Sequence, residues 1–307
     1  MRAARTSRGS VSNRCSFGAG RDEFRFSLEQ RAEKNFRLHS SNSLNRFSIA
    51  IYTTIVGLKP QVRRIQKEEA VATQRRYYSE TATNYEQMHA HEGNGEAFNK
   101  KFIEAILRML GAQSVLDVGT ATGYRLHDLR SALPNAFLCG IEPVDALLGI
   151  ALRNGVHTSG TLIRGSGLAL PFADASFDVV CEFSILHHVQ RPEVVVREML
   201  RVAKKAVVIG DCNRFGQGNL LARLAKLAMY KTRTWALYDW LRTKGKGYRI
   251  TDGDGVSYSY SVYDSFELLA DWADRLILVP AENGKSHNWL HPLLSSPGLV
   301  ACALKET

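Results

Sequence analysis

From Ser114 onward, short apolar runs alternate with segments whose apolar residues recur every three to four positions. The apolar runs predict strands at Ser114–Val118, Ala136–Ile141, Thr161–Arg164, Phe177–Glu182, Ala206–Ile209, Leu276–Val279 and Leu299–Leu304. Between them, the helical period fits Arg125–Ser131, Asp145–Arg153, Pro192–Val202 and Ser265–Ala273. Pro192 suits a first helical position, where no backbone donor is needed. Such alternation predicts an α/β fold, with a mostly parallel sheet covered by helices on both faces.

Upstream, a charged helical segment spans Gln61–Tyr78, and Phe102, Ile103, Ile106, Leu107 and Leu110 mark another helix within 99–110. Residues 1–60 carry no sustained period and are rich in Ser, Arg and Asn, which reads as a basic, disordered leader. The folded domain is expected over 61–307, with a core at 112–210 and an insertion or lid at 211–260. Inside that insertion, Leu220, Leu221, Leu224, Leu227 and Ala228 form one stripe, with Arg223, Lys226 and Arg233 toward another side. Packing of the stripe on its own domain competes with a lid, or with a face that lies on a membrane surface. Trp235, Tyr238 and Trp240 add aromatic surface that could wall a pocket.

Composition changes this picture little. The net charge of +10 is a property of the start of the chain, since residues 1–76 hold 16 Lys/Arg against 6 Asp/Glu, leaving 24 of each sign in 77–307. A neutral remainder without a recognised RNA-binding motif argues against a nucleic-acid partner. Arg2, Arg5, Arg8 and Arg14, among serines, have the composition of a transit peptide; a basic tail and a misplaced start codon are the competing readings. Cys15, Cys139, Cys181, Cys212 and Cys302 form no C-x-x-C pair, which points to a reducing compartment, the cytoplasm unless the leader directs import. The apolar run from Ile49 to Leu58 is far shorter than the roughly 20 residues of a membrane-spanning helix.

The strongest chemical signal is VLDVGTATGYRLHDL, residues 115–129, in which a strand ends in a turn of small residues that opens a helix. Gly119, Ala121 and Gly123 allow the backbone to approach a ligand closely. A dinucleotide fingerprint would need glycine at Tyr124, and a P-loop would need G-K-[ST]; neither is present. Glu142, at the end of the next strand, stands where a carboxylate accepts hydrogen bonds from ribose hydroxyls. A third segment, GSGLALPFADASFDVVCEFSILHHV, spans 165–189.

Together these segments resemble the class I S-adenosylmethionine-dependent methyltransferases, in particular their type 11 branch, over about residues 112–210. The resemblance implies a Rossmann-like, seven-stranded, mostly parallel sheet with a helical insertion after the fifth strand, and S-adenosyl-L-methionine as cofactor. It implies cofactor contacts from Asp117, Gly119, Thr120, Ala121, Gly123, Glu142, Ser166, Gly167 and Glu182. Three departures stand out: Ala121 replaces a middle glycine, Ser166 replaces an aspartate that binds the adenine amino group, and Lys204, Lys205 and Ala206 replace a K-P-G-G turn. His187 and His188 are candidate bases, with a positional or packing role as the alternative. Tyr77, Tyr78 and Tyr85 stand where relatives close a lid, and ordinary helix packing is the other reading.

The implied activity is methyl transfer to a small, partly apolar or lipid-like acceptor, with peripheral membrane contact an option. The alternatives are an inactive cofactor-binding regulatory or assembly protein and an RNA methyltransferase. No metal is expected: His89 with His91 and His287 with His291 have sharing distances in sequence but no third ligand in a recognised motif.

Overall fold

The structure is a computed structural model that describes residues 60–89, 94–156, 161–281 and 292–306. The leader at 1–59, His91, His287 and His291 lie outside the described residues. Described helices are α1 (Pro60–Thr81), α2 (Tyr85–His89), α3 (Asn94–Met109), α4 (Tyr124–Ala132), α5 (Asp145–Arg153), α6 (Pro192–Val202), α7 (Leu220–Lys231), α8 (Trp235–Arg242), α9 (Phe266–Trp272) and α10 (Pro292–Ser295). Strands are β1 (Ser114–Val118), β2 (Phe137–Glu142), β3 (Thr161–Arg164), β4 (Phe177–Phe183), β5 (Ala203–Cys212), β6 (Tyr248–Thr251), β7 (Gly255–Tyr258), β8 (Arg275–Pro280) and β9 (Gly298–Leu304).

Seven strands form one sheet in the order β3-β2-β1-β4-β5-β9-β8. The first five pair in parallel, whereas β9 runs antiparallel to both β5 and β8. This is the mostly parallel architecture that the alternating pattern predicts, in the Rossmann-like form that the resemblance implies. Its central strands are buried on both faces: Leu116, Val118, Val180, Val207 and Ile209 pack into one layer, and Val115, Val179, Cys181, Ala206 and Val208 into the other. The period of two along each strand distributes consecutive residues between those layers. On α6, Val195, Val196, Met199, Leu200 and Val202 are buried, the spacing of a stripe facing the sheet.

Two differences from the sequence pattern concern the fifth strand and the segment beyond it. β5 begins directly after α6, so Lys204 and Lys205 lie in the strand instead of a turn, and Lys205 reaches the carbonyl of Leu110 at 3.2 Å. The insertion contains an antiparallel hairpin, β6–β7, in addition to helices. Its tip, Asp252-Gly253-Asp254-Gly255, joins two short runs of alternating residues. Among the described residues, no helix is long and apolar enough to cross a membrane.

Strand order reverses between β1 and β4, so the segments after these strands diverge and leave a crevice at the carboxyl edge of the sheet. That crevice is the site.

Candidate functional site

The turn after β1 is held in a conformation that side chains resist. Gly119 has φ +76° and Gly123 has φ +72°, and Ala121 between them is also left-handed at φ 51°. A Cβ on Gly119 would come within 2.5 Å of Ile185 Cγ2, and one on Gly123 within 2.8 Å of Val156 Cγ1. The amides of Gly119 and Thr120 donate to the carbonyl of Ile141, at 2.8 and 3.2 Å. The turn is therefore fastened to the end of β2, where Glu142 begins to act.

Glu142 is buried, and its carboxylate accepts from the amides of Ala121 (3.1 Å) and Val144 (2.9 Å). Burial pushes its pKa up to about 7, against the lowering effect of those two amides. Asp117, also buried, has its pKa raised by burial; its Oδ1 accepts from the Cys181 thiol at 3.8 Å.

The turn and Glu142 open on a cavity of about 340 Å³, within the size range of small-molecule sites. Its walls come from the β1 turn (Gly119, Ala121), the end of β2 (Glu142 to Val144), Ser166 to Leu168, the segment after β4 (Ser184, Ile185, His188) and α1 (Val71, Gln74, Arg75, Tyr78), with Tyr85 beside it. Of the residues singled out in the sequence, Tyr78, Tyr85, Gly119, Ala121, Glu142, Ser166, Gly167 and His188 line it. Asp117, Thr120, Gly123, Glu182 and His187 do not. Asp117 and Gly123 belong instead to the frame behind the turn.

Glu182 departs most from its expected place. It is fully buried at the end of β4, where Oε2 accepts from the Ile185 amide at 3.2 Å and Oε1 has no hydrogen-bond partner among the described residues. Burial and the nearby Asp211 carboxylate raise its pKa well above the ordinary range. Ser166 lines the cavity, but its Oγ accepts from Leu168 N at 3.3 Å within its own turn.

The cover over the cavity comes from α1 and not from the insertion, since no residue of 211–260 is among its walls. Tyr78 and Tyr85 line it, while Tyr77 donates to the carbonyl of Asp252 at 2.8 Å on the hairpin. Nor does the apolar stripe of α7 pack inward. Leu220, Leu221 and Leu224 are exposed, Leu221 at 77%, while Lys226 turns back to the carbonyls of Arg214 and Gln217 at 3.2 and 3.0 Å. Trp235, offered as a pocket wall, carries the Arg214 guanidinium over its ring at 4.6 Å and donates to Ser259 Oγ at 3.0 Å.

A polar network joins the segment after β4 to the hairpin and to α1. His187 Nδ1 meets Asp211 Oδ1 at 2.7 Å, and the amides of Leu186 and His187 donate to Asp211 Oδ2 at 2.9 and 3.3 Å. His187 Nε2 faces Asp254 Oδ2 at 3.2 Å. Burial disfavours charge on His187, but the Asp211 carboxylate outweighs it and holds the imidazole pKa well above its ordinary value. Asp254 is half-buried, which opposes its ionisation; hydrogen bonds from both imidazoles nevertheless carry its pKa below the ordinary carboxylate range. His188 Nδ1 meets the Val256 carbonyl at 2.7 Å, and Tyr78 Oη lies 2.9 Å from His188 Nε2. Gln74 ties α1 to the hairpin by accepting from the Val256 amide and donating to the Asp254 carbonyl.

Asp211, Asp254 and Gln74 were not singled out in the sequence. The hairpin that carries Asp254 had a readable signal, a D-G-D-G turn between alternating runs. Asp211 and Gln74 had none, because they meet His187 and His188 only through the fold.

Residues 116–209 match a family model described as "Methyltransferase domain". The match covers under a third of the chain. Uncharacterized methyltransferases of Mycolicibacterium gilvum and Mycobacterium avium are 38% and 36% identical to this chain over 93 and 92 residues. Each alignment covers 30% of this chain and 35% or 36% of the relative, so the chain spans about a third of the length of the curated relatives it matches. Among solved structures, the fold is similar to a magnesium protoporphyrin IX methyltransferase of Synechocystis, crystallised with bound SAH, at TM-score 0.49 and 14% identity. That alignment covers 76% of this chain and 98% of the other. The matched methyltransferase core contains the β1 turn, Glu142 and both histidines, whereas α1 and the hairpin lie outside it.

Class I methyltransferases use S-adenosylmethionine, and the cavity suits such a group. Its floor is a turn where a Cβ at Gly119 would intrude, and Gly167 is similarly pinned, a Cβ there meeting Val118 Cγ1 at 2.9 Å. A buried carboxylate, Glu142, faces the same space.

Proposed function

We propose that this chain is an S-adenosylmethionine-dependent methyltransferase acting on a small, partly apolar acceptor. The observation that carries the reading is convergence: the left-handed turn at 119–123 and the buried Glu142, two separate sequence signals, open on one cavity closed by α1.

In this reading Glu142 accepts hydrogen bonds from the ribose hydroxyls, while Gly119 and Ala121 bring backbone against the methionine part. Asp117 and Gly123 hold the turn in shape from behind. Gly167 keeps the adenine side flat, and Ser166 leaves that contact to the backbone because its hydroxyl is already engaged by Leu168.

The cofactor supplies an activated methyl carbon and a neutral leaving group. The chain's own contribution is placement: holding an acceptor in line at about 3 to 3.5 Å from its target removes much of the entropic barrier. Val71 and Tyr78 on α1 close the cavity from above and exclude water. Tyr78 is largely buried, which raises its pKa far above the ordinary phenol value, so its hydroxyl stays protonated and serves as a fixed hydrogen-bonding group beside His188.

The outward leucines support a lipid-like acceptor or a membrane surface as its source. Leu221, Leu237 and Leu241 are exposed on α7 and α8, and Lys231, Arg233 and Lys244 are exposed in the same stretch of the chain.

The test is incubation of the purified protein with isotopically labelled S-adenosylmethionine and cell extract, followed by mass spectrometry. A labelled small product is expected. Cofactor binding without any labelled product would replace the reading with that of a binding-only protein.

A further inference from the structure

We propose that His187, His188 and Asp254 form a binding site for one divalent transition-metal ion, of which zinc is the representative. One ligand atom from each of the two imidazoles and the Asp254 carboxylate lies within 4.8 Å of the others. The site is independent of the cofactor reading, since two of its three ligands do not line the cavity.

Spacing is the first argument. Donors bound to one metal at about 2.0 to 2.1 Å lie roughly 3.0 Å apart at octahedral right angles and about 3.4 Å apart in a tetrahedron. The carboxylate oxygens of Asp254 are 3.2 Å from His187 Nε2 and 3.3 Å from His188 Nε2. Tyr78 Oη, 2.9 Å from His188 Nε2, would exchange that hydrogen bond for the ion.

The second argument is how each imidazole is held. A metal-binding histidine commonly donates its other ring N–H to a carboxylate or a backbone carbonyl, which fixes the tautomer and aims the lone pair. Both arrangements occur here. His187 Nδ1 is 2.7 Å from Asp211 Oδ1, and His188 Nδ1 is 2.7 Å from the Val256 carbonyl, an atom that can only accept. With each Nδ1 so engaged, both Nε2 atoms are aimed at the Asp254 carboxylate.

Charge suits a dication, because the Asp211 and Asp254 carboxylates flank His187 at 2.7 and 3.2 Å and can balance it. Imidazole with carboxylate is a donor set that suits Zn²⁺ and its first-row neighbours.

The site would also fasten the hairpin to the core, because Asp254 comes from the β6–β7 tip and both histidines follow β4. His188 lines the cavity, so the ion would stand one side chain from that space.

The experiment uses the full chain, stripped with a chelator and titrated calorimetrically with Zn²⁺, with Co²⁺ as a spectroscopic reporter. One equivalent should bind, and Co²⁺ should give d–d bands of a low-coordinate nitrogen and oxygen site. Asp254→Asn, a change on a half-exposed hairpin side chain, should weaken Zn²⁺ at least tenfold with the thermal transition of the metal-free protein preserved. Asp211→Asn, one shell further out, should weaken it roughly 10- to 100-fold. S-Adenosylhomocysteine binding is measured in parallel and should survive metal removal, which separates failure here from failure of the cofactor reading. Absence of stoichiometric binding, or unchanged Zn²⁺ affinity in Asp254→Asn, would overturn the proposal and leave a proton-held latch.

Discussion

Asp211 at the end of β5 and His187 after β4 meet at 2.7 Å, and the same carboxylate receives the amides of Leu186, His187 and Cys212. One buried side chain thus sets the path of the segment that forms a wall of the cavity.

Asp211→Asn removes the charge from this centre while keeping its shape. Breaking a buried, hydrogen-bonded pair costs roughly 3 kcal/mol or more. Urea unfolding of wild type and variant should differ by about that amount, and a loss under about 1 kcal/mol would show that Asp211 does not organise the segment.

Glu142 makes cofactor affinity pH-dependent. Burial raises its pKa to about 7, so the carboxyl becomes neutral as pH falls through that value. The ionised form is the one that can accept from two amides and two ribose hydroxyls together, so binding strengthens with rising pH. Between pH 8 and pH 6 the affinity for S-adenosylhomocysteine should fall by roughly tenfold, the loss expected as the competent fraction shrinks. Glu142→Gln should bind more weakly and flatten that dependence; an unaltered pH profile in the variant would assign it to another group.

Ala121 is the chain's own departure from a glycine, held at φ 51° with its amide on Glu142. Ala121→Gly relieves backbone strain but loosens the unfolded chain, so stability should change by less than about 1 kcal/mol. Ala121→Val places a β-branched residue in the left-handed region and should cost about 2 kcal/mol or more. Equal thermal transitions for the two variants would mean that the turn does not hold its left-handed geometry.

How much of this was readable beforehand depends on the range of the contact. The β1 turn and Glu142 are local motifs tied to strand ends, and the order of short apolar runs sufficed to place them at the switch point. The His187 network was not readable, because Asp211, Asp254 and Gln74 reach it from β5, a hairpin and α1. Amphipathicity of α7 was legible but its direction was not: a helical stripe says that two faces differ, and here Lys226 satisfies backbone carbonyls while Leu221 faces outward. The insertion at 211–260 does not line this cavity, and nothing in its sequence says which side of the sheet edge it covers.

Those outward leucines give a separable prediction. The intact protein should float with vesicles of phosphatidylcholine containing phosphatidylserine, and Leu221→Glu with Leu241→Glu should abolish flotation. Cofactor affinity should stay within a few fold, because neither residue borders the cavity. A wild type that stays with the unbound fraction would remove the membrane-surface role.

The central claim is that the turn at 119–123 and Glu142 hold S-adenosylmethionine, and calorimetric titration of the intact protein with S-adenosylhomocysteine tests it most directly. One site per chain is expected. In Gly119→Arg, where even a Cβ would come within 2.5 Å of Ile185, binding should vanish from a protein whose circular dichroism still reports the fold. No heat of binding in the wild type, or unchanged affinity in a folded Gly119→Arg, would contradict the account.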